Sequence, residues 1–209
     1  MYSIITRIVA ATSKLITEDE NYKVNVSSIL NEVTPSTKIT YLANPNNPTG
    51  TYLARTEIVN LLDQLPKNII VVLDGAYAEY VMKKDYDAGF SLTNEFENVI
   101  ITRTFSKAYG LAGLRIGWCY SSEKVASILN KVKGPFNTQR LSQEMAIIAL
   151  EDKEYLRKVI INNQEIKKWF EEELKKIQIN IGPSEGNFSF VETSEEKAKK
   201  ISSHLANEG

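Results

Sequence analysis

The part of the sequence best equipped for chemistry is the segment 104–117, TFSKAYGLAGLRIG. It offers hydroxyls at Thr104 and Ser106, an amine at Lys107 and a guanidinium at Arg115. Hydroxyls and a guanidinium together suit an anion such as phosphate. A lysine in an otherwise apolar loop, near a second cation, is expected to have a lowered pKa, which makes its amine nucleophilic. The glycine spacing fits neither the G-x-x-x-x-G-K-[ST] nor the G-x-G-x-x-G phosphate loop.

A second candidate group is the amide of Asn47, in the loop 44–50 with the sequence NPNNPTG. Its two prolines restrict the backbone and remove donors, and Gly50 permits a positive φ. The pattern therefore predicts a rigid loop that holds Asn47 at the edge of a sheet. A plain surface turn explains the composition of this loop equally well when the loop is taken alone.

A third candidate is Asp74, which opens the segment DGAY directly after the apolar run 69–73. A carboxylate at the end of an apolar strand is poorly solvated unless it meets a cation. The alternative is a helix N-cap, which aspartate often provides, and this segment taken alone favours that alternative.

The surrounding elements indicate how these groups are positioned. Apolar, β-rich runs at 38–43, 69–73, 99–102 and 116–120 are typical of strands, and 57–65 has the period of an amphipathic helix. Such strands separated by helices predict an α/β fold with a mostly parallel sheet and helices on both faces. Ligands of such sheets bind beyond the carboxyl ends of the strands, where the three candidate segments begin.

The flanking segments predict further elements. We expect a helix at 2–11 and a short strand at 14–17. Beyond residue 133 the pattern predicts helices at 139–150, 153–176 and 195–207 and strands at 177–181 and 187–192. This tail is typical of part of a smaller α+β domain, so we divide the chain into 1–155 and 156–209.

Composition excludes several classes of function. Hydrophobic residues make up 43% of the 209 positions and charged residues 24%, as in ordinary globular proteins. A net charge of −1 predicts no nucleic-acid partner, and no apolar run approaches the roughly 20 residues of a membrane helix. The single cysteine, Cys119, suits a reducing compartment, so we expect a cytoplasmic protein and a buried thiol. We predict no metal site, and we expect the only histidine, His204, to be solvated.

The order N-P-x-N-P-T-G, D-x-A-Y and S-K-x-x-G-L-A-G-x-R-x-G resembles the class I and II aminotransferases, which are fold-type I enzymes that use pyridoxal 5'-phosphate (PLP). Within that family, NPNNPTG and SKAYGLAGLRIGW are most similar to the histidinol-phosphate aminotransferases. The resemblance covers nearly the whole chain and is weaker after Gly134.

The resemblance implies catalytic roles for three residues. Lys107 would form the Schiff base with PLP and later move the proton between the substrate and the cofactor. Asp74 would pair with the pyridine nitrogen and keep it protonated. Tyr77, together with Asn47, would hydrogen-bond the phenolic oxygen of the cofactor ring.

The resemblance also implies a phosphate site and a pair of subunits. Thr104, Ser106 and Arg115 would bind the cofactor phosphate, with Arg115 as the bidentate partner. Family members build each site from two subunits, so we expect a homodimer. They also carry more chain before this point and a substrate-binding arginine after it, so we expect the sequence to be a piece of a longer protein.

The implied reaction is transamination between a phosphorylated amino substrate and 2-oxoglutarate or glutamate. A PLP-dependent decarboxylase or lyase of the same fold is the first alternative, since PLP stabilises any Cα carbanion. A PLP-sensing domain of a transcription regulator is the second, and a remnant that binds nothing is the third.

Overall fold

The computed structural model describes residues 2–208, and a four-stranded sheet lies at its centre. The strands, in sheet order, are β1 (Ile39–Ala43), β2 (Ile70–Asp74), β3 (Val99–Thr104) and β4 (Gly117–Ser121). The first three are parallel and β4 runs antiparallel to β3. The connection from β3 to β4 holds one short 3-10 turn and no crossover helix, so the chain returns in the opposite direction. The predicted mostly parallel sheet is therefore confirmed.

Eight helices and a second, two-stranded sheet complete the described part of the chain. The helices are α1 (Tyr2–Ile8), α2 (Val26–Asn31), α3 (Arg55–Gln64), α4 (Phe90–Glu95), α5 (Glu123–Val132), α6 (Arg140–Glu151), α7 (Lys153–Lys176) and α8 (Glu195–Glu208). Strands β5 (Ile181–Gly182) and β6 (Phe190–Val191) pair antiparallel. Strand β6 is shorter than the predicted 187–192, and β5 shares only residue 181 with the predicted strand 177–181, because residue 177 still caps α7.

The strand predicted at 14–17 is wrong, because this stretch makes no ladder with any described strand. Leu15 is exposed, whereas Ile16 packs against the main core. Alternating burial can thus arise in an unpaired extended segment, and it does not by itself show a hydrogen-bonded strand.

One face of the sheet forms the main core. The register places Leu42, Leu73 and Ile101 in one row across β1, β2 and β3. They share a buried cluster with Leu61 and Leu62 of α3, both fully shielded from water. Because each buried leucine contributes roughly 1.5–3 kcal/mol, this cluster stabilises the sheet that carries the loops at its edge.

The opposite face carries Tyr41 in register with Val72, since side chains alternate along a strand. Tyr2 of α1 stacks on Tyr41, with ring centroids 4.8 Å apart. Helices therefore lie on both faces of the sheet, as the sequence predicts.

The edge strand β4 corrects one expectation, since Cys119 is exposed and not buried. Among the described strands β4 has a single neighbour, so its side chains are less covered than those of β2. Trp118 nevertheless packs against the main core. None of the helices described between residues 2 and 208 combines the length and the hydrophobicity that a membrane span requires.

A second cluster joins the C-terminal part to the loops of the sheet. Tyr77, Tyr80 and Ala108 are buried there, against Leu156, Val159 and Ile160 of α7 and against Phe188. The predicted division at residue 155 falls inside α7 and stays a prediction.

Candidate active site

The carboxyl ends of the three parallel strands meet at one edge. Ala43, Asp74 and Thr102 are partners in the register of β1, β2 and β3. The loops that follow these strands therefore start side by side, at the edge where ligands of such sheets bind.

The loop after β1 holds the amide of Asn47 against the phenol of Tyr77. The Asn47 Nδ2 group donates to the Tyr77 hydroxyl at 2.7 Å. The loop is braced by Asn44, whose buried side chain donates to the Leu53 carbonyl at 3.1 Å and accepts from the Leu53 N–H at 2.8 Å. Since the Tyr77 oxygen accepts from Asn47, its own proton is available to a ligand.

The carboxylate of Asp74 is oriented by two donors. Its Oδ1 accepts from the Ala76 N–H at 3.2 Å, and its Oδ2 accepts from the Tyr2 hydroxyl at 2.5 Å. Burial, followed by the hydrogen bond to Asp74, raises the pKa of Tyr2 well above its ordinary value. Tyr2 therefore remains a donor at neutral pH. Sequence reasoning missed this residue, since a tyrosine in an apolar helix gives no local sign of a partner 72 positions away.

Hydroxyls and a guanidinium meet at the loop after β3. The Ser106 N–H donates to Thr104 Oγ1 at 3.0 Å. Arg115 has a positive φ of 48°, and its Nη1 group donates to the Ala112 carbonyl at 2.8 Å and makes a long contact of 3.5 Å with Ser106 Oγ. The arrangement suits an anion, because a guanidinium lies next to the Ser106 hydroxyl, and the Thr104 hydroxyl is hydrogen-bonded to the same serine.

Lys107 belongs to the same loop after β3 and lies close to Tyr77. Its Nζ atom is 5.2 Å from the centroid of the Tyr77 ring, within cation–π range. Ala108 is fully buried and Phe105 nearly so, which anchors the loop on both sides. The sequence predicted an apolar environment for the amine, but the Lys107 side chain is exposed, because its apolar neighbours turn inward and leave it outside.

A buried ion pair beneath the site also escaped sequence reasoning. Arg103 of β3 donates to Glu79 at 2.7 Å, and the two side chains are only 10% and 6% exposed. A Cβ added at Gly75 would lie 3.0 Å from Arg103 Cδ, so this glycine leaves room for the arginine beside Asp74. The sequence offered one sign of this ion pair, which is an arginine within a strand that begins as an apolar run.

These groups fit a small aromatic ligand that carries a phosphate. Asn47 and Tyr77 offer donors to a ring oxygen, and Asp74 offers an oriented acceptor to a ring N–H. Lys107 provides an amine beside them, and Arg115 a guanidinium next to a hydroxyl.

Comparison with known proteins identifies the class. The model of the family aminotransferase class I and II matches residues 1–209, and the chain belongs to this family.

The relatives indicate a particular branch. The chain is 42% identical over 185 residues to the histidinol-phosphate aminotransferase of Rhodopseudomonas palustris. The aligned region covers 88% of this chain and 51% of the relative. The chain is 44% identical over 163 residues to the histidinol-phosphate aminotransferase of Pelagibacter ubique, covering 78% of this chain and 45% of the relative. The chain thus spans about half the length of these curated relatives.

Solved structures share the fold. The histidinol-phosphate aminotransferase of Sinorhizobium meliloti, in complex with pyridoxal-5'-phosphate, matches with a TM-score of 0.87 and 28% identity, over 94% of this chain and 53% of that one. L-threonine-O-3-phosphate decarboxylase of Porphyromonas gingivalis matches with a TM-score of 0.73 and 24% identity, over 88% of this chain and 54% of that one. The second likeness shows the fold alone, so the fold does not separate transamination from decarboxylation.

Proposed function

We propose that this chain carries the PLP-binding residues of a transaminase of the histidinol-phosphate aminotransferase type. The reaction moves an amino group between a phosphorylated amino substrate and 2-oxoglutarate or glutamate. The observation that supports it most is the meeting of Asn47, Tyr77 and Lys107 at the carboxyl edge of the sheet, next to the oriented carboxylate of Asp74.

Each residue has a distinct task in this proposal. When bound, PLP supplies an electron sink for negative charge at the substrate Cα. Lys107, which is exposed, would hold the cofactor through its amine and would move a proton at the substrate Cα. Asp74 holds a proton on the ring nitrogen, and Tyr2 keeps the carboxylate in one orientation.

The remaining groups bind and orient. Tyr77 and Asn47 donate to the ring oxygen, which limits the rotation of the ring in its plane. Thr104, Ser106 and Arg115 hold the phosphate through hydroxyl and guanidinium donors.

The cofactor assignment is tested by reduction with borohydride. Purified protein incubated with PLP should become yellow, and reduction should fix the cofactor mass on the peptide that contains Lys107. Lys107→Ala should lose the label with an unchanged unfolding midpoint, whereas the exposed control Lys84→Ala should keep it. Label on another lysine of the wild type would contradict the assignment.

The reaction class is tested by following products. Amino transfer from glutamate to a phosphorylated oxo substrate should release 2-oxoglutarate and no carbon dioxide. Release of carbon dioxide from an amino acid phosphate, without 2-oxoglutarate, would instead favour the decarboxylase alternative.

We also propose a cytoplasmic homodimer for the enzyme. Exposed apolar side chains on α1 and α6, including Ile4, Ile8, Leu141 and Ile147, offer surface that a partner could cover. Sedimentation of the enzyme at several concentrations tests this, and a monomer at all concentrations would contradict it.

A further inference from the structure

The turn 184–188, in the C-terminal part of the chain, contacts two loops of the candidate site at once. The Glu185 N–H donates to the Gly50 carbonyl at 2.8 Å, on the loop that follows β1. The ring of Phe188 meets the ring of Tyr77 edge to face, with centroids 5.0 Å apart and planes at 81°. One short turn therefore supports both sides of the amide–phenol hydrogen bond.

The turn is itself firmly held. Ser184 Oγ donates to the Phe188 carbonyl at 2.6 Å, and the Gly186 N–H donates to Ser184 Oγ at 3.3 Å. From α7, Asn163 donates to the Gly186 carbonyl at 3.4 Å, and Lys167 donates to the Ser184 carbonyl. Because these contacts anchor it to a long helix, the turn is a fixed support for the ring that it carries.

Phe188 has little freedom within this turn. A Cβ added at Gly186 would lie 2.6 Å from Cε1 of Phe188, so the ring packs directly on the glycine. The ring also contacts Tyr77, which is only 5% exposed. The Lys107 amine lies 5.2 Å from the centroid of the same phenol ring.

We infer that Phe188 is a positioning residue for Tyr77. Its edge-to-face contact fixes the plane of the phenol, and with it the direction in which the hydroxyl meets Asn47 and a bound ligand. The inference rests on the proposed function only for the role of Tyr77. The contact between the two rings is a feature of the fold and does not depend on that function. Through this contact the C-terminal part of the chain sets the geometry of a cofactor-binding group.

The test compares Phe188→Leu with Phe190→Leu. The control ring contacts Tyr22, with centroids 4.8 Å apart, and it lies two residues from Phe188. Phe188→Leu should weaken PLP binding about two- to tenfold, the range expected for the loss of one aromatic pair. The pH midpoint of the visible band should move in the same direction as in Tyr77→Phe. Phe190→Leu should keep the wild-type affinity and midpoint.

A readout without cofactor separates this inference from the proposed function. In protein labelled with 3-fluorotyrosine, the fluorine resonance of Tyr77 is assigned by its loss in Tyr77→Phe. Phe188→Leu should shift that resonance and Phe190→Leu should not. Gly186→Ala, which displaces the Phe188 ring without deleting it, should also shift the Tyr77 resonance. This variant replaces Phe188→Leu in the test if Phe188→Leu does not fold.

The outcomes decide the two proposals independently. A Tyr77 resonance unchanged in both Phe188→Leu and Gly186→Ala would overturn the positioning role, whatever the protein binds. A wild-type protein that binds no PLP would overturn the proposed function, and the fluorine comparison would still decide whether Phe188 positions Tyr77.

Discussion

The Tyr2 hydroxyl lies 2.5 Å from Oδ2 of Asp74, although the two residues are 72 positions apart. The same ring stacks on Tyr41, a residue of the strand beside the one that Asp74 ends. The sheet therefore holds the phenol, and the phenol holds the carboxylate. Asp74 keeps one orientation without a bound ligand, which reduces the ordering that a ligand must impose.

Alkaline stability is expected to depend on Tyr2. Folding raises its pKa, mainly through burial, so its contribution is fully present below the ordinary pKa of 10.0 and is lost as pH rises towards the folded value. The unfolding free energy should fall above pH 10.0 in the wild type, and it should fall less steeply in Tyr2→Phe. Urea unfolding at a series of pH values measures this. Burial also raises the pKa of Tyr52 and of Tyr86, and both contribute the same fall in the two proteins. Equal slopes in the two proteins would therefore show that Tyr2 contributes nothing, which contradicts the prediction.

Replacement of Asn44 and replacement of Asn47, which lie in one loop, should have different effects on stability and on PLP binding. Asn44→Ala removes two buried hydrogen bonds to Leu53 and should lower the unfolding free energy by about 1–3 kcal/mol. Asn47→Ala removes one partly buried bond to Tyr77, so it should change stability by less than about 1 kcal/mol while weakening PLP binding severalfold. Urea unfolding and a PLP titration of both variants check the contrast. The idea fails if Asn47→Ala destabilises the fold as much as Asn44→Ala.

Removing one partner of the buried ion pair between Glu79 and Arg103 should lower the unfolding free energy more than replacing both partners. Glu79→Leu or Arg103→Met leaves one buried charge unpaired and should cost about 3–5 kcal/mol. Within the described part, Glu79 Oε2 and Arg103 Nε lack hydrogen-bond partners, so the pair is incompletely satisfied. The double variant should therefore be more stable than either single variant. Urea unfolding measures the cycle, and additive losses would show that the charges are not coupled.

The platform of the site was predictable because it depends on short-range patterns. Each of β1, β2 and β3 contains a mostly apolar run, and polar residues follow that run in β2 and β3. Parallel strands end at one edge, so the convergence of the loops after Ala43, Asp74 and Thr104 follows from the strands themselves.

The supports of the site were not predictable, because each depends on a distant contact. Tyr2 and Phe188 contact site residues through tertiary packing that no local spacing records. The ion pair of Arg103 with Glu79 is set by the fold in the same way. The exposure of Lys107 has the same origin, since it depends on where the neighbouring Phe105 turns. Patterns within the sequence therefore predict candidate residues for the chemistry, whereas the tertiary fold determines which contacts hold those residues.

The proposed role of Arg115 in holding a phosphate can be tested separately from the proposed roles of the other site residues. Lysine keeps the charge but lacks the planar fork, so Arg115→Lys should weaken PLP binding roughly tenfold or more. Binding of pyridoxal, which has no phosphate, should change little, because Arg115 contacts Ser106 and Ala112 and not the ring-binding pair. Titrations with both ligands measure the difference, and exposed Arg157→Lys is the control. Equal losses for PLP and pyridoxal would assign Arg115 to the structure of its loop and not to the phosphate.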